Sequence, residues 1–151
     1  MATGSFRCHF GDNGVIRIYY QILHATPPNA RIKKTSRSTE KDVTFEYQAD
    51  AETLASMLKA SGALIVSLEI TSSSISINSE AFTRAIKNSR PVCLVLGSEN
   101  TGVCEALLSL SDLSVHIPML GANSSMNIVT ATAIACFEIT RILQDDINRP
   151  A

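Results

Sequence analysis

The chain has 151 residues, 45% of them hydrophobic, which is material for one domain built on one core and little more. Its formal net charge of -1 excludes a bulk basic field for nucleic acid, so any RNA contact has to be local. Cys8, Cys93, Cys104 and Cys136 are widely spaced, form no C-x-x-C pair and sit mostly in apolar runs, which points to buried thiols, a reducing cytoplasmic compartment and no zinc.

In chain order, no charged segment followed by an apolar one opens the sequence, so a secretory signal is not expected. Val15 to Ile22 is an apolar run of strand length. Residues 31 to 41 carry Arg31, Lys33, Lys34, Arg37 and Lys41 against Glu40 alone, a local sum of +4 that leaves -5 for the rest of the chain. This segment is either a solvated loop or a patch for RNA phosphates. Val43 to Tyr47 is a shorter strand candidate.

Asp50 is placed to cap a helix with Leu54, Met57 and Leu58 on one face, and Gly62 to stop it in a left-handed conformation. A strand from Leu64 to Ile70 follows at once. The Ser-rich stretch Thr71 to Ser76 lies just past its C-terminal end, where open α/β sheets place ligands, although a plain polar loop fits equally well. A helix from about Glu80 to Asn88 precedes Pro91 and the strand Val92 to Leu96; another helix, Val103 to Leu110, precedes the strand Leu113 to Ile117. Continuous apolar strands alternating with helices predict an α/β fold, with a mostly parallel sheet covered by helices on both faces.

Between Leu113 and Phe137 there is no Asp, Glu, Lys or Arg, but Pro118, Gly121, Asn123 and Asn127 interrupt the segment, so a buried stretch is expected and not a membrane span. The last helix, from about Ser125 to Gln144, carries Met126, Ile128, Val129, Ile134, Phe137 and Ile139 around its circumference. A helix apolar on all sides needs cover on all sides, and one sheet face supplies only part of it. A two-fold homodimer would supply the rest.

Chemistry concentrates in two segments. Leu94 to Val103 (LVLGSENTGV) is a buried strand that stops at a glycine, presents Glu99 and passes Gly102 into a helix; the glycines allow backbone to approach a ligand or take a positive φ. Ile117 to Asn127 (IPMLGANSSMN) is a strand end, a Pro/Gly loop and a Ser-x-Asn that opens the apolar helix, where polar side chains and amides offer hydrogen bonds or simply cap the helix. In this order and spacing they resemble the second and third signature motifs of the SpoU/TrmH RNA methyltransferases of the SPOUT superfamily, with Ile128, Ala131, Ile134 and Glu138 continuing the match. Upstream, Ala25-Thr26-Pro27-Pro28, Lys33 to Ser36, Phe45-Glu46-Tyr47 and Ile65 to Glu69 extend the likeness over nearly the whole chain. The family's first motif, roughly Asn-x-Gly-Ser/Ala-x-x-Arg, falls on Gly4-Ser5-Phe6-Arg7, without its leading Asn and preceding strand. The domain, residues 1–151, thus looks shortened at its N-terminus. Asn13 to Arg17 is a competing placement that leaves too little chain before the next strand.

The resemblance implies a C-terminal deep trefoil knot whose loops, after the strands starting at Leu64, Val92 and Leu113, hold S-adenosylmethionine. Such a neutral nucleoside and methionine need shape and backbone hydrogen bonds, not a phosphate-cradling loop. It implies cofactor contacts from Leu68, Glu69, Leu96, Gly97, Gly102, Ile117, Met119, Ser125 and Met126, and transfer to a ribose 2'-hydroxyl of tRNA or rRNA. Asn127 and Ser125 would position substrate and cofactor, and Glu99 would order the site. Arg7 would approach the target ribose across the dimer interface, gripping the neighbouring phosphate, because a guanidinium with pKa above ~12 is a poor base. Arg31, Lys33, Lys34 and Arg37 would contact RNA. His9, His24 and His116 are alternative bases, each without a partner at readable spacing. Two other readings stay open: a shortened, dimeric family member that binds cofactor or RNA without methylating, and an unrelated α/β domain whose Gly97 to Gly102 turn binds an anionic metabolite.

Overall fold

The computed structural model describes residues 3–10, 14–21, 44–48, 50–88, 91–98, 100–121 and 125–147. In chain order the described elements are β1 (Thr3–Phe10), β2 (Gly14–Gln21), β3 (Thr44–Gln48), α1 (Ala51–Ala60), β4 (Leu64–Leu68), β5 (Ile75–Ser76), α2 (Glu80–Asn88), β6 (Val92–Leu96), α3 (Glu105–Leu110), β7 (Leu113–His116) and α4 (Ile128–Ile147). The strands form one sheet in the order β3-β1-β2-β6-β4-β7-β5. β1 pairs antiparallel with β2 and β3; β2–β6, β4–β6, β4–β7 and β5–β7 are parallel. The expected mostly parallel α/β sheet is therefore present.

Alternation along the central strands explains why both faces are covered. In β6, Val92, Leu94 and Leu96 point to one face, where Val66 and Val115 join Phe82 and Ile86 of α2 and Ala135, Ile139, Ile142 and Leu143 of α4. Cys93 and Val95 point to the other, where Ile65 joins Ala55 and Leu58 of α1 and Val103 and Leu107 beside α3. Every residue of β6 is buried, as a strand between two helical layers requires. Ser67, fully buried, has its hydroxyl 2.6 Å from that of Ser111. The buried hydroxyl is thus satisfied.

The helix ends follow from local chemistry. The Asp50 carboxylate accepts the Thr53 hydroxyl and the Thr53 and Glu52 N–H groups, the latter two at 3.1 and 3.0 Å, and these bonds, the Thr53 hydroxyl foremost, hold its pKa below the ordinary value. At the other end Gly62, with φ of +89°, lets its N–H reach Lys59 O and the Ala63 N–H reach Leu58 O, a Schellman stop. Several boundaries shift from the pattern-based expectation, β2, β3 and β7 by one residue, and three shifts have a local cause. α4 starts at Ile128, not Ser125, because Asn127 acts as its cap. α3 starts at Glu105, not Val103, because Gly102 is left-handed and Cys104 extended. β4 ends at Leu68, where Glu69 turns its carboxylate onto the Ile70 N–H.

Two strands lie outside the apolar-run pattern. β1 covers the segment assigned to the first motif, and its period-2 order Phe6, Cys8, Phe10 against Ser5, Arg7, His9 is a strand signal. Arg7 is in register with Arg17 of β2. β5, two residues within the Ser-rich stretch, pairs at the sheet edge with β7. No described helix is long and apolar enough to cross a membrane.

Candidate active site

β4 is the pivot of the sheet. β6 lies on one side of it and β7 on the other, so the chain leaving β6 and the chain leaving β7 depart from opposite flanks of the same strand. In open parallel sheets such a switch point leaves a crevice beyond the strand ends. Here a cavity of about 510 Å³ fills it, lined by Leu68, Glu69 and Ile70 at the end of β4, Leu96, Gly97, Ser98 and Gly102 at the end of β6, Val115, His116, Ile117 and Met119 at the end of β7, and Ser125 to Ile128 with Ala131 at the start of α4. That volume is within the range of small-molecule sites. The two motif loops, distant in sequence, face one space.

The turn after β6 is a closed unit. Ser98 N–H donates to Gly102 O at 3.1 Å and Gly102 N–H donates to Ser98 O at 2.9 Å. The Ser98 and Thr101 hydroxyls are 2.6 Å apart, and the Thr101 N–H donates to Ser98 Oγ at 3.1 Å. A Cβ on Gly97 would collide with the backbone of Gly102 and Val103, and one on Gly102, where φ is +64°, would collide with the Glu69 carboxylate. Both glycines are thus demanded by close approach. Glu69 Oε2 accepts the Val103 N–H at 2.9 Å, and its Oε1 accepts the Ile70 N–H at 3.0 Å.

The segment after β7 is built otherwise. Ile117 and Met119 are half-buried and Leu120 is fully exposed. The Asn127 carboxamide oxygen accepts the Val129 N–H at 2.9 Å, and its carbonyl accepts the Ala131 N–H at 2.9 Å, which starts α4. Asn127 is therefore an N-cap that also lines the cavity. His116, at the end of β7, has Nδ1 3.0 Å from Ser74 Oγ, whose hydroxyl also contacts Thr71 N and O. Among the described lining residues Glu69 is the only acid and there is no Lys or Arg, a poor match to an anionic ligand.

Of the site residues singled out in the sequence, Leu68, Glu69, Leu96, Gly97, Gly102, Ile117, Met119, Ser125, Met126 and Asn127 all line this cavity. Glu99, Arg31, Lys33, Lys34 and Arg37 lie outside the described residues. Arg7 is on β1, two strands out from β6. The Ser-rich stretch is not in the lining; Ser74 reaches the site through His116. The chosen set misses Ile70, Ser98, His116 and Ile128, each next to a chosen residue and reachable by extending the loops by one position, as well as Val115, two residues before Ile117, and Ala131, one helical turn after Asn127. Further along α4, the Glu138 carboxyl is held below its usual pKa by the Arg141 guanidinium, which bonds it at 2.6 and 2.9 Å.

A sequence profile of the SpoU rRNA Methylase family matches residues 12–137. The tRNA (guanosine(18)-2'-O)-methyltransferase of Escherichia coli K12 is 35% identical over 78 residues, 52% of this chain and 34% of that protein. The 23S rRNA (guanosine-2'-O-)-methyltransferase of Blochmanniella floridana is 32% identical over 113 residues, 75% of this chain and 42% of that protein. The chain therefore spans between a third and a half of the length of these relatives. A crystal structure of the A. aeolicus TrmH/SpoU tRNA modifying enzyme superposes with a TM-score of 0.55 at 25% identity, over 64% of this chain and 46% of that one. The AdoMet-bound rRNA methyltransferase of Sinorhizobium meliloti gives 0.52 at 26%, over 62% and 33%. With the profile covering most of its length and both motif loops meeting at the switch point of the sheet, this chain belongs to the SpoU methylase family.

Proposed function

We propose that the protein, taken as one domain over residues 1–151, transfers a methyl group from S-adenosylmethionine to a ribose 2'-hydroxyl of tRNA or rRNA. The observation that carries this reading is the single cavity enclosed by Glu69, the Gly97–Gly102 turn and the Ile117–Asn127 segment. Its chemistry fits the cofactor. Glycines where any Cβ would collide leave backbone facing the space, apolar Leu68, Leu96 and Ile117 suit an adenosine, and the lone carboxylate tolerates a cation. Relatives matched by this chain include tRNA and rRNA 2'-O-methyltransferases, which supports the substrate class.

When bound, the cofactor supplies an electrophilic methyl carbon on a sulfonium, attacked in line by the ribose oxygen. The task of the protein is placement, worth ~7 to 11 kcal/mol in favourable cases. Asn127, whose carboxamide oxygen caps α4, would direct its amide nitrogen into the cavity, and Ser125 would hold the methionine end beside it. Glu99 would order the turn. Arg7 would grip a phosphate beside the target ribose, and the 2'-hydroxyl proton would leave to phosphate oxygen or water. Arg31, Lys33, Lys34 and Arg37 would hold the RNA backbone.

The knot belongs to the same proposal: the segment from Ile117 into α4 would thread a loop of the chain, as the family resemblance implies. So does the homodimer. α4 buries Ala135, Ile139 and Ile142 against the sheet but leaves Val129 72% and Phe137 69% exposed, eight residues apart on one face. Sedimentation should give a dimer at micromolar concentration, and Phe137→Glu should dissociate it; a monomeric wild type would sink this part. A cytoplasmic location suits RNA of this class.

Calorimetric titration with S-adenosylmethionine or its demethylated product, then transfer of a tritiated methyl group to bulk tRNA and rRNA, tests the whole reading. Stoichiometric binding with labelled RNA is expected; no binding at millimolar ligand would overturn it. Binding without transfer would instead support the second reading, a dimeric cofactor- or RNA-binding module. That reading is favoured by one observation: the family profile begins at residue 12, after the β1 segment that carries Arg7.

A further inference from the structure

We propose that Glu69 is a positioning residue: it joins the three walls of the cavity at their common corner and sets the turn after β6 at the spacing a ligand needs. The proposal rests on reading that cavity as a S-adenosylmethionine site. Glu69 is the first residue beyond β4, the strand on which the sheet switches direction. Its backbone N–H donates to Val115 O of β7 at 2.9 Å. Its carboxylate reaches the other way, accepting the Val103 N–H of the β6 turn at 2.9 Å and the Ile70 N–H of its own loop at 3.0 Å. One residue thus bonds to all three strand exits.

The turn is shaped to receive this carboxylate. Gly102 is left-handed, and a side chain there would occupy the place of the Glu69 oxygens. Val103 is 5% exposed and precedes the helix, so its N–H has no helical acceptor, and the carboxylate supplies one. A charged acceptor makes that bond stronger than an amide–carbonyl pair. The internal bonds of the turn fix its shape; Glu69 fixes where the turn sits relative to β4 and β7. With each oxygen holding an amide, Glu69 acts on a ligand through the position of the Gly97 and Gly102 backbone.

Two measurements test this. In ligand-free protein, amide hydrogen exchange at Val103 should be slow in the wild type, fast in Glu69→Ala, and slow again in Glu69→Gln, which retains an acceptor oxygen. Loss of a charge-assisted bond of this kind predicts that Glu69→Ala weakens cofactor binding by about tenfold or more, with Glu69→Gln recovering most of it. The KM for S-adenosylmethionine should rise in parallel while kcat at saturation changes little. Gly102→Ala, which pushes on the same contact from the other side, should reproduce the binding loss. The proposal is overturned by a Val103 amide that exchanges freely in the wild type, by Glu69→Gln being as damaging as Glu69→Ala, or by Gly102→Ala binding normally. If the wild type binds no cofactor at all, the function proposed above fails, and the exchange pattern still decides the latch.

Discussion

The connections after β6 and after β7 have similar composition and opposite construction. Both begin where a buried strand ends, contain glycine, and enter a helix. The first is closed by paired backbone bonds between Ser98 and Gly102, reinforced by Ser98 and Thr101 hydroxyls and held at its far end by Glu69. The second leaves Leu120 fully exposed and ends at Asn127, whose carboxamide caps α4. A wall fixed by the bonds of its own turn and one that ends in the cap of α4 therefore flank the same cavity.

The largest effect should come from the fixed wall. Gly97→Ala puts a methyl group into the Gly102 and Val103 backbone, so it should destabilise the protein by roughly 3 kcal/mol or more and abolish cofactor binding. Chemical denaturation and calorimetry would check it, and near-wild-type values would mean that the turn yields more than its bonding suggests. Next comes Asn127. Asn127→Ala removes a cap worth about 1 kcal/mol and should abolish methyl transfer. Asn127→Ser keeps a cap acceptor while removing the amide donor, so stability should return and activity should not. Recovery of both would reduce Asn127 to a cap. The smallest effect is expected at Leu120: Leu120→Ser should change stability by no more than about 0.5 kcal/mol, because the side chain touches little. A larger loss in denaturant melts would erase the contrast between the walls.

Most of the parallel core was legible in the chain because its strands are uninterrupted apolar runs. Val92 to Leu96 is a strand over the range its sequence suggests, and Asp50 and Gly62 bound α1 as their chemistry predicts. Reading by apolar runs fails at β1, whose alternating residues resemble a partial motif, and at β5, whose two residues gain strand geometry only from β7. The helix starts also move. Val103 and Ser125 have helix-compatible sequence, but the left-handed Gly102 and the capping Asn127 postpone each helix by two or three residues.

The candidate site divides in the same way. The glycines and the Ser-x-Asn of its loops are consistent with close backbone approach and helix entry, but it was their resemblance to the SpoU/TrmH motifs that marked them as a site. The meeting of those loops beside β4 was expected only from the family resemblance, since strand order depends on pairing between segments far apart in sequence. The placing of the Glu69 carboxylate on Val103, a bond across 34 positions, was not legible. Local conformational demands are written residue by residue along the chain, whereas partners for a buried amide exist only after the sheet has brought distant strands side by side.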